Sequence, residues 1–302
     1  MKILLFGGNG QVGTELRRSL APLGDVIATT RTGRLADGVS CERADFDAPE
    51  TLAPLIERIA PDIVVNAAAY TAVDRAEAEP ETAFRANAEA PRAIAAACAA
   101  RDALLVHYST DYVFDGQSTR PYREDDPVAP LGVYGASKLA GEQAIHASGA
   151  RHLIFRTAWV YATHGRNFLR TMLRLAAERD ELRVVADQVG SPTPAGLIAD
   201  ITTKVLAQDP ARSGLWHLTT TGETSWHGFA EAIVEGANAR GLLGRRPRVV
   251  PITTADYPTP ALRPPNSVLD TSKLQQDFNL APEAWQDGLG EIMDAVAQAG
   301  RR

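Results

Sequence analysis

Three observations predict an α/β fold with a doubly wound parallel sheet and a smaller C-terminal α/β lobe. A short apolar run, Ile3 to Phe6, breaks into a glycine-rich turn and then a helical pattern. Such runs alternate with helical stretches through the first half of the chain. Beyond about residue 163 that rhythm loosens. The expected division is therefore a dinucleotide-binding unit over residues 1–162 and a mainly substrate-binding lobe over 163–302, with later strands free to return to the first sheet.

Each element follows from its residues. Four apolar residues in succession from Ile3 suit a strand buried on both faces of a parallel sheet. Gly7, Gly10 and Gly13 follow, and Val12, Leu16 and Leu20 then keep helical spacing. Strand, glycine turn and helix form the Rossmann dinucleotide context: Gly7 for the tight turn, Gly10 for backbone approach to a pyrophosphate, Gly13 for close helix packing. The spacing, Gly-x-x-Gly-x-x-Gly, is a variant of the usual fingerprint. Val26 to Ala28 is a second strand, ending in Thr29, Thr30 and Arg31. An NAD enzyme usually carries an acid near this point, whereas Arg31 suits a 2′-phosphate, so NADPH is the expected cofactor, with solvated arginines as the alternative. Asp45 and Phe46 end a short third strand, placed to meet adenine; a buried Phe and a capping Asp47 ahead of Pro49 explain the same residues without a ligand.

Asp62 to Asn66 is the next strand, and the small residues Ala67 to Ala69 after it leave room for a ribose at the carboxyl edge. An alanine-rich helical stretch runs from Pro80 to Ala100, with a kink or break expected at Pro91. Asn87 within it reads equally as a support for the site or as a solvent-facing amide. Leu104 to His107 delivers Ser109, Thr110 and Asp111 to the same edge, and a polar loop from Gly116 to Pro130 precedes the next helix. On that helix Tyr134 and Lys138 stand four apart, one turn from each other on one face. An ammonium close to a phenol favours the phenolate and brings its pKa toward working pH, which makes the two a proton-transfer pair. Thr110 supplies a hydroxyl to the same carbonyl oxygen. His152 to Phe155 adds a further strand. Helical patterns at 166–179, 195–207, 225–239 and 283–298, with apolar runs at 183–186 and 215–218, make up the second half. Trp216, Trp226 and Trp285 read as core.

Composition excludes several classes. The net charge of −6 is dispersed, and the tightest basic cluster, Arg245, Arg246 and Arg248, is too short for a nucleic-acid surface. Cys41 and Cys98 have no metal-ligand spacing and read as free thiols in a reducing compartment. No apolar run approaches the ~18 residues of a membrane span, and the N-terminal run stops at Gly7. The expectation is a cytoplasmic protein without nucleic-acid or membrane partners and without a metal site in its sequence.

The residues resemble the extended short-chain dehydrogenase/reductase family over nearly the whole chain. The resemblance rests on the glycine segment, Val65 to Asp74, Ser109 to Gly116, Tyr134 to Glu142, Phe155 to Tyr161, Asp187 to Thr193 and Arg263 to Asp270. It implies reduction by NADPH of the 4-keto group of dTDP-4-dehydro-6-deoxy-L-mannose to give dTDP-L-rhamnose. By the same resemblance, Tyr134 is the proton donor, Thr110 polarises the carbonyl, and Lys138 holds the nicotinamide ribose. Gly10, Gln11, Val12, Thr30, Asp45, Phe46, Ala69, Tyr70, Thr71 and Tyr108 match cofactor positions. Thr71, Val73, Asp111 and Trp159 match the sugar pocket. Arg263 and Asn266 lie in a Pro-rich loop, where the resemblance gives Arg263 a role on the substrate pyrophosphate. Tyr70 stands where relatives often carry His. Some relatives dimerise through magnesium held by carboxylates; no cluster here compels that, so monomer or homodimer, and NADH as a second donor, stay open. Two rivals remain: a non-catalytic NADP-binding regulatory subunit, and a reductase or epimerase of another nucleotide sugar.

Overall fold

The computed structural model describes residues 1–208 and 212–300. The chain opens with β1 (Lys2–Phe6), α1 (Gln11–Ser19), β2 (Asp25–Thr30) and the short β3 (Glu42–Arg43). It crosses back through α2 (Leu52–Ile59) to β4 (Ile63–Asn66). Next come α3 (Val73–Ala76), α4 (Pro80–Phe84), α5 (Ala90–Arg101) and β5 (Leu104–Thr110), then α6 (Val133–Ala147) and β6 (His152–Thr157). The second half contains β7 (Val160–Tyr161), α7 (Phe168–Glu178), β8 (Glu181–Val185), β9 (Val189–Gly190), β10 (Thr193–Pro194) and α8 (Ala195–Gln208). β11 (Gly214–His217), β12 (Thr224–Ser225), α9 (Trp226–Ala239), β13 (Arg248–Ile252), α10 (Ser272–Phe278) and α11 (Trp285–Ala299) complete it.

The main sheet has seven parallel strands in the order β3-β2-β1-β4-β5-β6-β11. Strand order reverses between β1 and β4, so the loops leaving their carboxyl ends diverge and open a crevice there. Side-chain alternation builds one core on each face. Ile3, Leu5, Val106 and Phe155 meet Leu16 of α1, Leu20 just after it, and Ile198 and Val205 of α8. Leu4, Val64, Leu105 and Ile154 meet Ile56 of α2, Ile94 of α5 and Ile145 of α6 on the other. Each such aliphatic side chain stabilises the fold by about 1.5–3 kcal/mol when fully buried.

The chain beyond residue 163 serves both units. β11 pairs with β6 at the edge of the main sheet, and α8 and Leu274 and Phe278 of α10 complete its first core. The remainder forms a separate core around Leu169, Phe229, Ile233, Trp285 and Met293, beside the parallel pair β8 and β13. β13 and α10 carry no marked sequence pattern. In β13 a proline interrupts a short run of apolar residues, and α10 has only Leu274 and Phe278 to bury.

The break expected at Pro91 falls one turn earlier. Arg85–Glu89 forms a π-helical turn, and the Ala90 N–H reaches back to the Arg85 carbonyl. Pro91 has no N–H to give the preceding turn, and the widened turn absorbs that loss before α5 begins. Asn87 sits inside it and is buried. The amide therefore supports the interior and does not face solvent.

α6 is fixed to the sheet by a buried ion pair. Arg156 of β6 donates from Nε to Glu142 Oε1 at 2.9 Å and from Nη2 to Oε2 at 2.7 Å, with both side chains almost fully buried. The guanidinium also lies 5.1 Å from the centre of the Phe114 ring. Removing one partner strands the other charge in the interior. Glu142→Ala should therefore lower stability by about 3–5 kcal/mol, read as the shift in urea unfolding free energy.

Candidate active site

The glycine turn lies in the crevice at the strand-order reversal. Gly7 has φ +84°, and its carbonyl accepts the Gly10 N–H at 2.9 Å. A Cβ on Gly13 would stand 2.0 Å from that same carbonyl oxygen, so α1 approaches the turn more closely than any side chain permits. Gly10 caps α1 without a side-chain hydrogen bond, and the first turn holds no acidic residue. Its free N–H groups suit an anion, so the turn fits a dinucleotide pyrophosphate. Gln11 Oε1 accepts from Asn167 Nδ2 at 2.7 Å, tying α1 to the segment after β7, while Val12 packs into the core.

Toward the adenosine side, the Thr30 hydroxyl donates to the Arg34 carbonyl at 3.0 Å and accepts its N–H at 3.1 Å. That bracket fixes the turn bearing Arg31, whose exposed side chain has no partner among the described residues. Phe46 meets Phe6 edge-on at 5.6 Å, and Asp45 Oδ1 accepts the Asp47 N–H. Asp47 caps no helix; Ala48 precedes the turn at Pro49 instead. Past β4, Ala69 is exposed beside Tyr70, whose backbone N–H and carbonyl are both held by Asn87 at 2.8 and 3.0 Å. The Asn87 Nδ2 also donates to Ser137 of α6 at 3.0 Å. The Tyr70 hydroxyl donates to Glu79 at 2.7 Å, and Thr71 is exposed next to it.

Tyr134 and Lys138 both lie on α6 over the carboxyl end of β5. Burial pushes the Tyr134 phenol up to about 12, an effect the Thr110 hydroxyl partly offsets and the Asp111 charge reinforces. The phenol is therefore protonated at neutral pH and able to donate. Lys138 does not lower it in this conformation, contrary to the sequence expectation. Its Nζ turns inward, donating to the Tyr108 carbonyl at 2.6 Å and lying 3.4 Å from His107 Nε2. The Tyr108 side chain points the other way, bonding Thr202 of α8 at 2.8 Å and stacking on Phe155. Thr110 Oγ1 donates to Asp111 Oδ1 at 2.8 Å. The hydroxyl must rotate off Asp111 before it polarises a carbonyl.

Asp111 is buried with Oδ2 unpartnered among the described residues, and desolvation raises its pKa to about 6 against the offset from Ser267 and Thr110. Tyr112 presses edge-on against Tyr134 at 5.6 Å. Arg263 is paired with Asp74 at 2.8 Å and also bonds Thr259 and the Ala261 carbonyl. Val73, at the start of α3 beside Asp74, is half-buried there. Asn266 is spent on backbone: it donates to the Ser118 carbonyl at 2.8 Å and accepts the Val268 N–H at 3.0 Å. Trp159 takes a left-handed φ of +48° and stacks face to face on Trp226, ring centres 3.5 Å apart. Gly190 leaves the space, since a Cβ there would stand 2.5 Å from the indole. Trp226 is thus half-buried and stacked, unlike Trp216 and Trp285, which are core. Among the described residues no three metal-ligating side chains come together, and no helix is long and apolar enough to cross a membrane.

Three functional neighbours have little sequence signal. Asp74 meets Arg263 from 189 positions away, and Tyr112 is one aromatic among many. His107 has the clearest mark, a polar ring within an otherwise apolar run.

A doubly wound sheet with a Tyr and Lys pair over β5 and a glycine turn at the strand reversal defines a nicotinamide-dependent reductase of the extended short-chain type. The sequence matches the profile described as RmlD substrate binding domain over residues 1–298, and the chain belongs to that family. It is 50% identical to the dTDP-4-dehydrorhamnose reductase of Burkholderia thailandensis over 99% of this chain and 100% of the relative. The Escherichia coli K12 protein of that description is 48% identical over 98% of each. The crystal structure of the Bacillus anthracis dTDP-4-dehydrorhamnose reductase in complex with NADP is 34% identical, covers 97% of this chain and 99% of its own, and superposes with a TM-score of 0.88.

Asp111 gives a signed pH prediction. Its folded pKa is above the ordinary carboxylate value of 3.8, so the native state holds the proton more tightly and loses stability as pH rises from about 4 to 6. Asp111→Asn should stabilise the protein by about 3 kcal/mol at pH 7.5, the gap closing as pH falls toward 4. Urea unfolding of both proteins at pH 4.5 and 7.5 measures it.

Proposed function

We propose that this chain reduces the 4-keto group of dTDP-4-dehydro-6-deoxy-L-mannose with NADPH, forming dTDP-L-rhamnose. The observation that carries the reading is the placement of Tyr134, one turn before Lys138 on α6 and beside Thr110 at the carboxyl end of β5, at the edge of the glycine crevice. When bound, the nicotinamide supplies a hydride to sugar C4. Tyr134 gives its proton to O4 as the carbonyl becomes a hydroxyl, and Thr110, turned off Asp111, donates to the same oxygen. Lys138 leaves the Tyr108 carbonyl for the cofactor ribose and stabilises the phenolate that remains. The free Asp111 oxygen takes a sugar hydroxyl, while Thr71, Val73 and Trp159 shape the pocket. Arg263 exchanges Asp74 for the substrate pyrophosphate, and Asn266 holds the loop that carries it.

The cofactor preference rests on Arg31, a cation with no partner among the described residues, after β2 where NAD enzymes carry an acid. Arg31→Asp should swing the kcat/KM ratio from NADPH toward NADH, and an unchanged ratio removes Arg31 from the 2′-phosphate. Tyr134→Phe keeps the ring and its contact with Tyr112 but has no proton to give. Its turnover should fall by about 10²–10⁴ with NADPH binding retained. Near-normal turnover of this variant would refute the assignment.

A further inference from the structure

Behind the Tyr and Lys pair runs a buried hydrogen-bond chain that neither the glycine turn nor the sugar pocket uses. Asn66, at the end of β4, accepts the Ala68 N–H on Oδ1 at 3.1 Å. A backbone N–H only donates, so this contact fixes which end of the amide is oxygen. The Asn66 Nδ2 then faces His107 Nδ1 at 3.0 Å. Nδ2 also only donates, so Nδ1 of the neutral ring must accept, and the ring proton belongs on Nε2. That Nε2–H points at Lys138 Nζ, 3.4 Å away, while Nζ itself donates to the Tyr108 carbonyl at 2.6 Å. A charged ammonium has no lone pair to meet the Nε2–H; a neutral amine accepts from His107 and donates to Tyr108 at once.

We propose that His107 is a positioning residue that, locked by Asn66 with its proton on Nε2, stabilises the neutral amine of Lys138 and holds it against the Tyr108 carbonyl. Gaining a proton sets two donors against each other and releases Lys138 toward Tyr134 on the preceding turn. Protonation and position of the lysine are thereby coupled.

The surrounding charges bring the amine and ammonium forms of Lys138 within reach of each other near neutral pH. Lys138 is almost fully buried, and desolvation lowers its pKa to about 8, with Glu142 on the next turn opposing. Glu142 is occupied by Arg156 of β6. The π-helical turn packed on α6 presents the neutral Asn87, and Asp111 lies at the Tyr134 end. Burial holds His107 well below the ordinary imidazole value, and a proton on Lys138 lowers it further, so the ring is neutral whichever form the lysine takes.

The test needs no turnover, so it stands apart from the proposed reaction. The chain has four lysines, and with ¹³Cε-labelled lysine each titrates as a separate resonance, Lys138 being assigned from Lys138→Arg. His107→Asn keeps an oxygen for Asn66 and removes the donor to Lys138; Asn66→Asp accepts from Nδ1–H and moves the ring proton off Nε2. Either change should raise the Lys138 midpoint by about one pH unit or more, and in active variants move the high-pH limb of kcat/KM the same way. An unchanged midpoint in both overturns the proposal. Should the variants fail to fold, the long-range ¹H–¹⁵N spectrum of the wild-type ring decides: a proton on Nε2 supports the assignment, and one on Nδ1 overturns it.

Discussion

The site depends on how α6 is docked against β5. Apolar burial is non-directional and sets only the distance between helix and sheet. Rotation and register come from three buried polar ties: Ser137 to Asn87, Lys138 to the Tyr108 carbonyl, and Glu142 to Arg156. Ser137 and Lys138 share one turn and Glu142 lies on the next, so α6 cannot roll without leaving a polar group unpaired in the interior. Tyr134 projects from the turn before them and is held over Thr110 as a result.

This placement has an energetic cost. Asp111 carries a charge where burial opposes it, Lys138 is a buried amine, and Trp159 holds a backbone conformation that side chains disfavour. Each departs from what packing alone selects. Such departures gather where function requires them and are tolerated because the two cores flanking the sheet are well filled.

Much of this was legible in the residues. The continuous apolar run of β1, the glycine turn and the spacing of Tyr134 and Lys138 are local patterns, and local geometry enforces them. The sequence leaves the return of β11 to the main sheet only as an option, because a four-residue strand carries little periodicity. The inward turn of Lys138 was not legible at all. It depends on a carbonyl and an imidazole presented by β5 thirty residues away, and the sequence places neither in space. The pairing of Arg263 with Asp74 is hidden for the same reason: the two lie in opposite halves of the chain.

In the proposed reaction the crevice between the glycine turn and Tyr134 holds NADPH and a dTDP-linked 4-keto sugar side by side. The most direct measurement is NADPH oxidation by the purified protein, with dTDP-, UDP- and GDP-linked 4-keto-6-deoxy sugars compared side by side. Rapid oxidation with the dTDP sugar alone, yielding dTDP-rhamnose, is the predicted result. NADPH binding without turnover on any of the three would contradict it.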